Sequence, residues 1–297
     1  MPSNDATPGP KWTIVNILEW TADYFRQHGI AQSRAVAEIL LAHILCCERI
    51  DLYLRHDQPL NEEELTRYRQ VIRRRAKFEP EAYIVGQKEF WSLPLQVSPD
   101  VLIPRPETEC LVESVLEKLP ADDIVNALEL GVGCGAISIA LAHERPQWCF
   151  WASDISHRAV DIARANAGRL LPSAAIRFFV GHWFDALDAD APVFDLIVSN
   201  PPYIPTPQLD QLQPEIKIFE PFSALDGGRD GMESLGQIID SAHIHLNPGG
   251  WLMLEMGHDQ TSGIQERVRR HQTYDLVEFR HDYSGYPRVA QIRRAAV

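Results

Sequence analysis

Two short stretches and one lone carboxylate carry residue types suited to chemistry. Leu128-Glu129-Leu130-Gly131-Val132-Gly133-Cys134-Gly135-Ala136 sets three alternate glycines directly after an apolar run. Glycine tolerates left-handed backbone and lets a main chain approach a ligand where a Cβ would block it. Asp154 follows about twenty residues on, where a carboxylate at a strand end can accept both hydroxyls of a ribose. Together these point to an adenosine-like ligand. Gly131-x-Gly133-x-x-Ala136 fits the dinucleotide fingerprint and also the Gly-x-Gly-x-Gly form found in S-adenosyl-L-methionine enzymes, with a bare structural turn as the third reading. A pyrophosphate asks for a helix N-terminus and basic help, whereas a sulfonium is cationic and accepts acidic surroundings. Glu129, Asp154 and a net charge of −13 tilt the choice towards the sulfonium.

The second stretch, Ser199-Asn200-Pro201-Pro202-Tyr203, follows the apolar run Leu196-Ile197-Val198. An amide or exocyclic amine nitrogen is a poor nucleophile because its lone pair is delocalised. The Asn200 side-chain carbonyl and the Pro201 backbone carbonyl can each accept one N–H of such an NH2 group. Holding both hydrogens aims the nitrogen and favours its tetrahedral transition-state geometry. Pro201 and Pro202 stiffen the corner, and Tyr203 offers a flat face to a planar group. The plainer alternative is a Pro-Pro turn with an asparagine cap.

The elements that must position these residues read as two kinds. Before about Phe90 the pattern is helical: Trp12 to Phe25 with Gly29 beyond its end, a segment from Ser33 (read as its N-cap) to about Cys47, and a third from Asn61 through Glu62-Glu63-Glu64 to Arg73-Arg74-Arg75. That arginine run reads as a solvated helix C-terminus, and Cys46 and Cys47 as small buried thiols. Glu89 to Val97 reads as a hairpin. Pro104 and Pro106 hold extended backbone, and a helix runs from near Thr108 to Leu119. From Ile124 onward strands alternate with helices, the signature of a doubly wound α/β fold with a parallel sheet. The strands are Val125–Leu130, Phe150–Ser153, Ile176–Val180, Phe194–Ser199, Trp251–Glu255, Leu276–Arg280 and Arg288–Ile292. The helices are Ala136–Glu144, His157–Leu170 and Leu235–Leu246. The last two strands leave no room for a helix between them and must pair antiparallel.

With 297 residues, 28 Lys+Arg and 41 Asp+Glu, the chain has the length of about two domains and lacks the basic surface that grips nucleic-acid backbone. No apolar stretch reaches the length of a membrane span, and Met1 to Lys11 lacks the pattern of an export signal. Five cysteines without paired spacing fit a reducing cytoplasm. No metal-ligand set stands out.

The chain resembles the HemK-type protein-glutamine N5-methyltransferases that modify peptide chain release factors, from about Thr13 to the C-terminus. The resemblance rests on Glu89 to Leu95, Leu102 to Glu109, the glycine loop, Trp183-Phe184 and Asn200 to Tyr203. It implies a bundle over residues 1–85 that recognises the release factor, a linking β-hairpin over 86–106, and a seven-stranded Rossmann-like methyltransferase domain over 107–297. It implies S-adenosyl-L-methionine as cofactor, held by Gly131, Val132, Gly133, Cys134, Gly135, Asp154, Trp183 and Asn200, with S-adenosyl-L-homocysteine as product. Asn200 and Pro201 would hold the glutamine of a Gly-Gly-Gln loop, with Pro202 and Tyr203 shaping its slot. Phe90, Arg105, Pro106 and Thr108 match the segment bordering that pocket. Taken alone, Phe90 reads as hairpin core, and Arg105 as a partner of Glu107 or Glu109.

Glu129, Val132, Cys134 and His182 depart from the family's usual residues. The missing hydroxyls at Val132 and Cys134 bear on cofactor affinity. The rival readings are a ribosomal-protein glutamine methyltransferase, disfavoured by Pro106 to Glu109, and a DNA adenine methyltransferase, disfavoured by the charge. An NAD(P)-linked oxidoreductase and a catalytically idle interaction module complete the field. A cytoplasmic monomer without direct nucleic-acid or membrane contact is expected.

Overall fold

Residues 12–188 and 190–296 are described by the computed structural model, so the expectation placed on Met1 to Lys11 falls outside them. The chain divides into two compact units, one ending at Gly86 and the other starting at Gln87.

The first unit contains helices α1 (Ile14–Gln27), α2 (Ser33–Leu45), α3 (Arg49–Leu54), α4 (Glu62–Arg75) and α5 (Glu81–Val85). The short α3 and α5 carry too few residues to show a helical period and were not expected. Helix α4 starts at a reciprocal cap: Glu64 N–H donates to Asn61 Oδ1 at 2.9 Å and Asn61 N–H to Glu64 Oε2 at 2.8 Å. Ser33 is not a cap. Gln32 before it is left-handed (φ 48°), and the Ser33 hydroxyl donates back to the Ile30 carbonyl at 2.6 Å. Cys46 is exposed at the left-handed end of α2 and Cys47 half-buried, against the expectation of buried thiols. The arginine run is only partly solvated, because Arg75 is buried and Arg74 grips the Glu79 carboxylate through two nitrogens. Phe25, Leu40, Leu41 and Tyr68 are fully buried, and Tyr68 donates its hydroxyl to Ala37 O at 3.0 Å.

The second unit opens with the hairpin β1 (Gln87–Phe90) and β2 (Leu93–Gln96), paired antiparallel. Trp91 and Ser92 at its turn both adopt positive φ, 53° and 57°. Trp91 is anchored from N–H to Glu109 Oε1 at 2.9 Å. Arg105 is extended as expected, but Pro106 already begins a 3-10 turn (Pro106–Thr108), since a proline fits the first helical position. Helix α6 (Glu109–Lys118) follows, then β3 (Asn126–Leu130), α7 (Ala136–Glu144), β4 (Cys149–Asp154), α8 (His157–Leu170), β5 (Ala175–Val180) and β6 (Phe194–Ser199). After an irregular stretch with α9 (Pro214–Phe219) come α10 (Glu233–His245), β7 (Leu246–Glu255), α11 (Thr261–Arg270), β8 (Tyr274–His281) and β9 (Pro287–Arg294). The basic helix α11 was missed in sequence because only Ile264 and Val268 of it are buried.

The seven-stranded sheet runs β5-β4-β3-β6-β7-β9-β8. Its first five strands are parallel, and β9 pairs antiparallel with both β7 and β8. Alternation along β3 sends Leu128 and Leu130 into a core shared with α10 and α11, while Glu129 turns towards α7. The chain steps from β3 out to β4 and β5, then returns to β6 on β3's other side. That reversal makes the β3/β6 boundary the switch point at which doubly wound sheets bind ligands.

Candidate active site

Register places the chemical residues together. Leu130 pairs with Ser153 on one side and with Ser199 on the other, so Gly131, Asp154 and Asn200 leave three adjacent strands at the same sheet edge. Side-chain and backbone bonds tie these exits to each other. Ser199 donates its hydroxyl to Leu130 O at 2.6 Å, and Gly131 and Val132 N–H donate to Ser153 O at 2.8 and 2.9 Å. Above this edge lies a cavity of about 340 Å3, lined among others by Gly131, Gly133, Asp154, Trp183, Asn200 and Pro202. The volume lies within the span of small-molecule sites.

Gly131 (φ 74°) and Gly133 (φ 54°) have the left-handed backbone that the glycine loop promised. A Cβ at Gly131 would stand 3.6 Å from the Trp183 ring. Gly135 does a different job. It does not line the cavity, and a Cβ there would come within 2.8 Å of Ile139 Cδ1 and 3.3 Å of Ala163 Cβ, so its absence lets α7 and α8 approach. Asp154 accepts the Gly133 N–H on Oδ2 and the Ser156 N–H on Oδ1, both at 2.9 Å. Each oxygen keeps a lone pair for a ligand hydroxyl. Burial lifts its pKa against these two N–H donors.

Among the described residues, five acidic side chains line the cavity (Asp100, Glu129, Asp154, Asp226 and Glu233), and no lysine or arginine does. A pyrophosphate would meet repulsion there, whereas a sulfonium or ammonium would be welcomed. Glu129 is fully buried, which pushes its pKa up to about 8 although the Ser138 N–H and hydroxyl both donate to it. Val132 and Cys134 line the cavity with no hydroxyl, and burial drives the Cys134 thiol up to about 12, so it is neutral. His182 and Trp183 form another wall, and the Trp183 Nε1–H donates to Gln237 Oε1 at 3.0 Å.

Not every expected residue reaches the cavity. Asn200 and Pro202 line it, but Pro201 is buried behind them, and Tyr203 turns its hydroxyl onto Glu255 Oε1 at 3.2 Å. Phe90 is 2% exposed and lies away from the cavity wall. Arg105 pairs with neither Glu107 nor Glu109. Its Nη2 meets Glu220 Oε1 at 2.5 Å, and Glu220 Oε2 also takes the Ile103 N–H. That pair fixes the segment whose Pro221, Ser223 and Ala224 close the cavity.

Sequence reasoning missed the residues that brace these loops. Buried Asn166 on α8 donates to the Cys134 and Gln96 carbonyls at 2.9 and 3.0 Å and accepts the Gln96 N–H at 2.8 Å. Gln260 donates to Tyr203 O at 2.9 Å and Gly231 O at 3.0 Å. Glu220 and Glu255 are buried acids. Asn166 in α8 and Glu255 in β7 gave one hint, polarity where the period asks for apolar residues, whereas Gln260 and Glu220 flank helices and gave none.

Comparison with known proteins agrees with this geometry. The profile described as PrmC N-terminal domain matches residues 16–86, and that described as Methyltransferase small domain matches residues 108–213. A release factor glutamine methyltransferase of Geobacter sulfurreducens is 44% identical over 253 residues, covering 85% of this chain and 87% of that protein. One from Rhodopirellula baltica is 37% identical, covering 99% of both. Among solved structures, a methyltransferase from Pyrococcus furiosus superposes with TM-score 0.51 at 22% identity over 69% of this chain and 90% of that one. The hMettl16 catalytic domain does so with TM-score 0.57 at 17% identity over 70% and 76%; both carry the fold alone. A switch-point cavity rimmed by acids, in a chain matching these relatives over nearly its whole length, leaves one assignment: the protein belongs to the release factor glutamine methyltransferase family.

Proposed function

We propose that this enzyme transfers a methyl group from S-adenosyl-L-methionine to the side-chain amide nitrogen of the glutamine in the Gly-Gly-Gln motif of peptide chain release factors. The observation that carries this is the joint presence of Gly131, Asp154 and Asn200 in one acid-lined cavity. The cofactor, when bound, supplies a methyl carbon on a cationic sulfur and departs as S-adenosyl-L-homocysteine. Asp154 would take the ribose hydroxyls, Gly131 and Gly133 would admit the backbone close to the ligand, and Trp183 would pack near the adenine. Val132 and Cys134 would give this pocket apolar contact in place of hydroxyls.

The Asn200 Oδ1 and the Pro201 carbonyl would each accept one hydrogen of the glutamine NH2, orienting its nitrogen and easing its pyramidalisation. Pro202 would line the slot for the planar amide, and Tyr203, its hydroxyl turned onto Glu255, would back it. The transferred methyl makes the nitrogen acidic, so its proton can leave to water afterwards. Phe90 and Arg105 enter this reading as supports: Phe90 from the hairpin core, Arg105 through Glu220. The bundle over residues 1–85 would recognise the release factor, and the work would take place in the cytoplasm.

Mass spectrometry of purified release factors incubated with enzyme and S-adenosyl-L-methionine tests the assignment. One added methyl on the Gly-Gly-Gln glutamine is expected. A methyl found only on a ribosomal protein, or only on duplex DNA, would overturn it.

A further inference from the structure

The stretch from Glu220 to Gly228 is a strap tied down on both sides. At its start, Glu220 Oε1 accepts from Arg105 Nη2 at 2.5 Å and Glu220 Oε2 accepts the Ile103 N–H at 3.3 Å. At its far end the Ile204 N–H donates to Leu225 O at 3.1 Å, and the Gly227 N–H donates to Ile204 O at 2.8 Å. Both anchors belong to the Asn200 end of the cavity. Ile204 directly follows Tyr203, and Thr108, three residues past Arg105, accepts from Asn200 Nδ2 at 3.2 Å.

Between the anchors, Pro221, Ser223 and Ala224 line the cavity, and Ser223 is also exposed, so the strap forms part of the mouth. Two large apolar side chains stand in water around it. Ile218 and Phe222 are each 63% exposed, and they flank the buried, clasped Glu220 in the chain. One exposed apolar residue on a surface needs no explanation. Two beside the mouth of a cavity are different when the acceptor is a side chain of another protein. That glutamine cannot reach Asn200 without bringing its own surface down onto the rim, and apolar groups leaving water there favour the encounter.

We propose that this strap is the seat of the protein acceptor: Ile218 and Phe222 pack against the release-factor surface around the acceptor glutamine, and Arg105 is a positioning residue that holds the seat through Glu220. The inference rests on the reading that the acceptor amide meets Asn200. Arg105 touches neither the reacting atoms nor the acceptor; it acts by fixing the start of the strap.

Phe222→Ala and Ile218→Ala remove exposed side chains and leave the clasp whole. Arg105→Met keeps the stem and removes the guanidinium, whereas Arg105→Lys keeps a cationic donor for the single contact that Nη2 makes. For each variant KM and kcat on a purified release factor, Kd for S-adenosyl-L-methionine by calorimetry, and Tm are read. Phe222→Ala should raise KM at least about fivefold and Ile218→Ala about threefold, with kcat and cofactor Kd within about twofold of wild type and Tm unmoved. Arg105→Met should raise KM about tenfold with cofactor Kd again within about twofold, and Arg105→Lys should recover most of that rise. Because Arg105 acts through the strap, adding Phe222→Ala to Arg105→Met should raise KM by less than the product of the two single effects. Wild-type KM in Phe222→Ala or Ile218→Ala, full additivity in the double variant, or a loss of cofactor affinity as large as the rise in KM would overturn the proposal. Should Arg105→Met fail to fold, the two exposed positions decide alone. Absence of glutamine methylation by the wild-type enzyme would sink the assignment of function and this seat with it, whereas wild-type methylation with unchanged KM in the exposed variants would sink the seat alone.

Discussion

Asn200 and Glu129 show how differently two residues of one cavity can be tested. Asn200→Ala removes the acceptor oxygen while leaving the glycine loop and Asp154 in place. Turnover should fall by about a hundredfold or more, with cofactor Kd nearly unchanged, as steady-state kinetics and calorimetry would show. Glu129 is a matter of protonation. Its pKa stands near 8 in the folded protein, against 4.5 for the ordinary side chain. Between those values the unfolded chain has lost a proton that the folded one keeps, so this group's contribution to stability declines as pH rises and levels off above about 8. Glu129→Gln keeps an acceptor for Ser138 and cannot ionise. The variant's Tm should therefore gain on wild type as pH goes from 5 to 8.5, in parallel thermal melts. A cationic ligand in the cavity draws Glu129 towards its ionised form. Binding at pH 7 should then release protons, seen as a dependence of the calorimetric heat on buffer ionisation, and the glutamine variant should lose that release. Glu129 and Asp154 were visible in the sequence as acids near glycines, but the raised pKa of Glu129 comes from burial that only packing creates.

Among the elements, the parallel strands and helices α7 and α8 could be read directly, because apolar periodicity and glycine punctuation are local signals. The hairpin turn could not. Trp91 and Ser92 carry positive φ without glycine or asparagine, and Glu109 and Glu144, on two other helices, hold Trp91 in place. Helix α8 shows the same dependence on distant partners. Asn166 bonds the hairpin at Gln96 and the glycine loop at Cys134 from one side chain. Asn166→Ala leaves the Cys134 carbonyl buried and unpaired, at a cost of about 1 to 3 kcal/mol. Urea unfolding should show that loss, together with weaker cofactor binding, because the Cys134 carbonyl belongs to the loop that lines the cavity.

For the molecule as a whole, the order β5-β4-β3-β6-β7-β9-β8 creates the site. The acid lining of the cavity discriminates between cofactor classes, so S-adenosyl-L-methionine at about a hundred times its Kd should raise Tm by about 5 °C or more. NADH at the same concentration should not, and a thermal shift from NADH alone would contradict the electrostatic argument. The sequence by itself determined the α/β class, the antiparallel end of the sheet, the glycine loop, Asp154 and the Asn200 corner, since each depends on neighbouring residues or on backbone limits that glycine and proline impose. Only the tertiary structure decided that Gly135 serves helix packing, that Arg105 grips Glu220, and that Asn200 meets Thr108. Arg105 and Glu220 are far apart in the chain, and nothing local in a buried glutamate tells which distant group will satisfy it. That partner is chosen by the strand order and by the demand that polar groups removed from water be paired.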